Sequence, residues 1–265
     1  MTEQHVRVSL EGPVAVVELA RGPNNLLGVR MLTELADAFD DLASDPACRA
    51  IVLCAEGKHF CAGMNLAAEA SEEAEPAKAE PRRPPEAGSP LYAQAMRLFS
   101  APLPVVAAIQ GAAIGGGLGL ALVADFRVAA DDARLAANFT RLGLHHGFGL
   151  TETLPRLVGA QRAARMLYTG EEISGALAAG IGLCDEAVPA SGLRARAHDL
   201  ATAIAGPAPL AVRSVRATLR RELLAALPAA MDREHAEQVR LSRTRDAREG
   251  IKAARERRPP VFSGE

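Results

Sequence analysis

The spacing of apolar positions changes from one segment to the next, and each change marks an element. Residues 6–10 and 14–19 are rich in valine and leucine on either side of Glu11-Gly12-Pro13, which predicts a β-hairpin. Met31, Leu32, Leu35, Ala36, Phe39 and Leu42 then recur at helical spacing until Asp45-Pro46 closes the run. A short apolar strand at 51–55 completes the start of a βαβ pattern. Further strands are expected at 105–109, 126–129 and 184–188, giving a partly parallel sheet covered by helices. Strands end there. From Arg194 onward, residues 200–204, 210–227 and 231–240 carry helical apolar stripes separated by Pro207, Pro209 and Pro228. The fold class is therefore α/β, with a core over residues 1–195 and a helical region over 196–265.

One segment breaks this rhythm. Residues 67–90 are rich in Ala, Glu and Pro and hold almost no large apolar side chain, so an exposed loop is expected. It is either a lid or a tolerated surface insertion.

Two glycine turns each follow an apolar strand: Phe60-Cys61-Ala62-Gly63-Met64-Asn65-Leu66 and Ile114-Gly115-Gly116-Gly117-Leu118-Gly119-Leu120. The second opens a buried helix, so Gly116 falls where backbone N–H groups lack intrahelical acceptors and favour a negative oxygen. The N–H of Met64 would turn out of the first strand in the same way. Two such donors aimed at one point make an oxyanion hole. Taken alone, a glycine triplet after a strand more often marks a tight turn that lets a helix pack closely on a sheet. GGG is not GxGxxG, and no acidic residue follows at the distance a ribose contact needs.

Composition narrows the classes. Hydrophobic residues make up 49% and charged residues 23%, with a net charge of -2, which is ordinary for a globular protein and favours neither nucleic acid nor an anionic membrane. The absence of Trp and the few Tyr and Phe argue against base stacking. Cys48, Cys54, Cys61 and Cys184 have neither CxxC nor metal-ligand spacing, so neither a zinc site nor a disulfide framework is expected and they read as reduced, mostly packed thiols. No signal peptide and no membrane-spanning run is visible, which makes a cytoplasmic location the expectation.

Jointly, several segments resemble the crotonase family, the enoyl-CoA hydratase/isomerase superfamily. They are Arg21-Gly22-Pro23-Asn24-Asn25, the two glycine turns, Leu154-Pro155-Arg156-Leu157-Val158-Gly159, Thr169-Gly170-Glu171-Glu172-Ile173-Ser174 and the C-terminal Arg257-Arg258-Pro259-Pro260-Val261-Phe262. The resemblance implies a spiral of ββα units, C-terminal helices that make subunit contacts, and a homotrimer or dimer of trimers. It implies an acyl-CoA ligand, with coenzyme A as part of the substrate and no separate cofactor. By position, the oxyanion donors would be the N–H groups of Met64 and Gly116. Arg21, Lys58, His59, Ala62, Gly119 and Phe139 would line the substrate site, and Arg258 and Phe262 would approach a neighbouring subunit's ligand.

The acid/base positions depart from that pattern. Hydratases resembling this chain use two glutamates, and the corresponding positions are Gly119 and Phe139; a carboxylate used by dienoyl isomerases falls on Gly147. None of the three moves a proton. His146, in His145-His146, is the substitute expected to titrate near neutral pH, set against a purely local hydrogen-bonding role. Glu152 also suits a helix first turn, Asp125 reads as structural, and Cys61 has no evident neighbouring base. Two functions follow: an enoyl-CoA hydratase/isomerase-like enzyme with non-standard acid/base groups, or a non-catalytic acyl-CoA-binding protein.

Overall fold

The computed structural model describes residues 4–64 and 89–265. Most of the segment expected to form an exposed loop, residues 67–90, lies outside the described residues; its end, Pro90, opens a helix, Pro90–Ser100, that the spacing did not announce.

The hairpin is present as β1 (Val6–Glu11) and β2 (Val14–Leu19), followed by α1 (Val29–Ser44) and β3 (Ala50–Ala55). After α2 (Pro90–Ser100) come β4 (Val105–Ile109), β5 (Ala112–Ile114) and α3 (Gly116–Ala121). Next are β6 (Phe126–Ala130), β7 (Arg134–Ala136), a 3-10 turn at Asn138–Leu142, α4 (Leu150–Val158) and α5 (Ala160–Thr169). β8 (Glu172–Ser174), α6 (Gly175–Gly180), β9 (Glu186–Val188), α7 (Leu193–Ala205), α8 (Pro209–Leu241) and α9 (Arg245–Glu256) complete the order.

Six strands form the main sheet in the order β1-β2-β3-β4-β6-β9, antiparallel only between β1 and β2. β3 and β4 are buried along their whole length, as continuous apolar runs in a parallel sheet should be. A second, three-stranded sheet runs β5-β7-β8. Successive chain passes feed both sheets, β4 then β5 and β6 then β7, which produces the ββα spiral.

The three strands of the small sheet were not expected from the sequence. Each spans three residues, too few to show a period. The strand expected at 184–188 is confined to Glu186–Val188. Pro228 was expected to separate two helices, but α8 runs through it as one helix of 33 residues. Packing on both sides of the proline accounts for this: Leu227, Ala230 and Met231 are all buried. Tertiary burial there outweighs the missing backbone donor.

Asp125 is structural, as expected. Its carboxylate accepts from the N–H of Val105 at 2.9 Å, from Arg216 Nε at 2.7 Å and from Arg220 Nη1 at 3.0 Å, tying α8 to the sheet. Among the described residues no helix is long and apolar enough to cross a membrane.

Candidate active site

The two glycine turns lie side by side. Cys61 N–H donates to Ala112 O at 2.9 Å and Ile114 N–H donates to Cys61 O at 3.1 Å, so Cys61 and Ala113 pair as a parallel bridge. Met64 and Gly116 each stand three residues beyond that pair. The register alone therefore brings their N–H groups to the same end of neighbouring segments. Contact is close: a Cβ on Gly117 would lie 2.2 Å from Cys61 O, and one on Gly116 would lie 2.7 Å from Leu27 Cδ1 and 4.0 Å from Met64 Sδ. Only glycine at 117 permits that approach. Gly115 turns the chain with φ 57 and ψ -117, a conformation closed to other residues. Among the described residues, no group accepts a hydrogen bond from the N–H of Met64 or of Gly116. Two unpaired donors at one edge are the arrangement a developing oxyanion needs.

The three positions that lack a carboxylate are filled in different ways. At Gly119 a Cβ would meet Phe148 Cβ at 2.5 Å and its ring at 2.9 Å. Phe148 itself holds φ 61, and its ring is buried. At Gly147 a Cβ would meet Tyr92 Oη at 2.3 Å and Gln238 Nε2 at 2.6 Å. Phe139 sits in the 3-10 turn with its ring edge 3.7 Å from a Cβ placed on Gly115. The surroundings are thus built for glycine at 119 and 147, with an apolar ring beside the second glycine turn.

Around Gly147 lies a polar cluster drawn from α2, the 143–149 loop, α4 and α8. Tyr92 Oη donates to Gln238 Oε1 at 2.9 Å, and Gln238 Nε2 donates to the carbonyl of His145 at 3.1 Å. The imidazoles of His145 and His146 stack with centroids 4.1 Å apart. His146 Nε2 lies 2.9 Å from Thr151 Oγ1, whose hydroxyl donates to Glu234 Oε1 at 2.7 Å. Glu234 is 0% exposed and also accepts from Gly149 N–H at 2.8 Å and Thr151 N–H at 2.9 Å. Burial raises the carboxyl pKa, while the bonds from Thr151 and Gly149 oppose that. Burial, and then the neighbouring imidazole of His145, push His146 down to about 4, so the ring is neutral near pH 7.

Sequence reasoning named His146, with titration near neutral pH that its burial does not allow, and did not name Tyr92, Thr151, Glu234 or Gln238 around it. A signal existed for Glu234. It continues the buried α8 stripe of Leu227, Ala230 and Met231 at helical spacing, and a carboxylate in an apolar stripe demands partners.

The other expected site residues are dispersed around the turns. Arg21 Nη1 donates to Leu26 O at 2.8 Å, Lys58 is exposed, and Ala62 N–H donates to Asn24 O at 2.9 Å. His59 is buried, and its Nδ1 accepts from Ala112 N–H at 3.1 Å, joining the first turn to β5. Burial, with Arg134 and Lys58 nearby, lowers its pKa and keeps it neutral. Arg258 is held by Glu249 and Glu256, and Phe262 is exposed. Glu152 pairs with Arg156 on α4 at 3.0 Å. Cys61 is buried, and burial pushes its thiol up to about 12, which removes it as a nucleophile at neutral pH.

Comparison with known proteins agrees with this architecture. Residues 10–265 match the enoyl-CoA hydratase/isomerase family model. The chain is 34% identical over 251 residues to the mitochondrial enoyl-CoA hydratase domain-containing protein 2 of Bos taurus, covering 91% of this chain and 81% of that one. It is 31% identical over 268 residues to the mitochondrial methylglutaconyl-CoA hydratase of Rattus norvegicus, covering 99% and 82%. A crystal structure of an enoyl-CoA hydratase/isomerase from Pseudoalteromonas atlantica T6c superposes with a TM-score of 0.85 at 26% identity, covering 98% of this chain and 100% of that one. The chain belongs to the enoyl-CoA hydratase/isomerase family, the crotonases.

Proposed function

We propose that this protein is an acyl-CoA enzyme that stabilises a thioester enolate. The N–H groups of Met64 and Gly116 hold the thioester oxygen, and His146 carries the proton. Coenzyme A enters as part of the substrate, with Arg21, Lys58, His59 and Ala62 beside it and Gly119 and Phe139 bounding the acyl end. The carrying observation is the parallel register of the two turns, with two donors three residues past the Cys61–Ala113 bridge that find no acceptor among the described residues. A hydratase that handles water with two carboxylates is not the reaction this site supports, because Phe148 occupies the space at position 119 and the second carboxylate position holds the buried ring of Phe139.

That same filling favours a second reading, an acyl-CoA-binding protein without turnover. One experiment separates the two: calorimetric binding and turnover with enoyl-CoA, 3-hydroxyacyl-CoA and branched acyl-CoA thioesters. Turnover that falls by about 10²-fold or more in His146→Ala supports the enzyme. Tight binding without turnover supports the second reading, and no binding refutes both.

Self-association as a homotrimer or dimer of trimers belongs to the same proposal. Leu210, Val215 and Leu219 of α8 are exposed apolar residues. Val215 and Leu219 border a cavity of about 590 Å³ shared with Leu122, Phe126 and Leu157. An apolar face of this kind suits contact with a second copy.

A further inference from the structure

We propose that Thr151 and Glu234 are positioning residues that hold His146 in the neutral Nε2–H tautomer, leaving the Nδ1 lone pair to act as the base. This deepens the reading of His146 as proton carrier and rests on it. Donors and acceptors around Thr151 fix the tautomer. Glu234 receives two backbone N–H groups and the Thr151 hydroxyl, all of them donors, so its environment matches the ionised carboxylate. The single hydroxyl proton of Thr151 is spent on Glu234 Oε1 at 2.7 Å. The oxygen of Thr151 can then only accept from its other neighbour, His146 Nε2 at 2.9 Å. That bond requires a proton on Nε2, and a neutral imidazole then has its lone pair on Nδ1. Among the described residues, no group donates to His146 Nδ1.

Proton transfer balances on this arrangement. Nδ1 takes the proton from the carbon next to the thioester, and the C–H electron pair passes to the thioester oxygen held by Met64 and Gly116. The ring becomes an imidazolium that keeps its Nε2–H bond to Thr151. Its charge then faces Glu234 Oε1, 3.9 Å from Nε2, and that carboxylate offsets it. Glu234 also receives the two N–H groups at the start of α4, and this capping role holds whatever the tautomer. The test must therefore leave the cap intact.

Thr151→Val does so, since it deletes the hydroxyl and keeps both backbone bonds to Glu234. Long-range proton–nitrogen spectra of histidine-labelled protein near neutral pH, assigned with His146→Ala, should show wild-type His146 as the Nε2–H tautomer. In Thr151→Val the ring should become a mixture of tautomers, with kcat about tenfold lower at unchanged KM, the kinetic equivalent of one hydrogen bond. Thr151→Ser should restore both. Wild-type His146 protonated on Nδ1, or a Thr151→Val spectrum identical to wild type, would overturn the proposal. Should Thr151→Val fail to fold, the wild-type tautomer decides alone. The spectra need no substrate, so a failure to turn over any acyl-CoA would refute the enzymatic reading separately.

Discussion

Gly119 and Phe148 are a matched pair. The Cβ and ring of Phe148 occupy the volume that any side chain at 119 would enter, 2.5 Å and 2.9 Å from a Cβ placed there. Gly119→Glu is therefore expected to overpack the site, lowering stability by about 1–3 kcal/mol without adding hydration of an enoyl-CoA. Urea unfolding and a hydratase assay check both parts; a stable variant with new hydratase activity would contradict the packing argument. His146 gives a second residue-level expectation. In the unfolded chain the ring titrates near its ordinary value of 6.5, and burial in the folded protein pushes it down to about 4. Above about pH 6.5 the ring is neutral in both states. As pH falls toward about 4, the unfolded state takes up a proton that the folded state refuses, so folding loses on the order of 3 kcal/mol. The other titratable groups facing the ring are His145, stacked upon it, and Glu234 beyond Thr151. The raised pKa of Glu234 acts in the opposite sense on acidification. The readout is thus the difference between wild type and His146→Ala in urea unfolding at about pH 7 and about pH 4.5. The variant should lose less stability on acidification, and equal losses would contradict the assignment.

Elements with a clear period were legible from the chain: α1, β1 to β4 and β6 stand close to their expected bounds. β5, β7 and β8 were not legible, because three residues cannot display alternation and their partners are remote in sequence. α8 was misdivided because Pro228 is a local signal and the burial of Leu227, Ala230 and Met231 is a tertiary one. The candidate site divides in the same way. Its glycine turns are contiguous motifs, whereas Tyr92, Thr151, Glu234 and Gln238 meet only after α2, α4 and α8 have packed. That meeting has an energetic consequence for α4, whose first N–H groups depend on a carboxylate from another helix. Glu234→Ala should cost about 2–3 kcal/mol, combining a lost cap with buried unpaired donors. Hydrogen exchange should localise the change to Gly149 and Thr151. A uniform change across the molecule would argue against a local cap.

At the scale of the whole molecule, the passes β4–β5 and β6–β7 each deliver one strand to each sheet, and the Cys61–Ala113 bridge sets the two turns in parallel at a common edge. Outside that core, α8 presents Leu210, Val215 and Leu219 to solvent in the isolated chain. If this face joins copies, Leu219→Glu should convert the assembly to a smaller species in sedimentation equilibrium while each chain stays folded by circular dichroism. An unchanged mass would place the subunit contact elsewhere. In the proposed function the thioester carbonyl lies between two amides, and vibrational spectroscopy reads that bond. Gly116→Pro removes one donor at the first helical position, where the proline φ is tolerated but its Cβ must displace the Leu27 side-chain tip at 2.7 Å, so unchanged circular dichroism is the control. In isotope-edited infrared difference spectra, a carbonyl-labelled acyl-CoA thioester should shift to lower frequency on binding the wild-type protein, and most of that shift should vanish in Gly116→Pro. A carbonyl band at its solution frequency in the wild-type complex, or an equal shift in both proteins, would contradict the account.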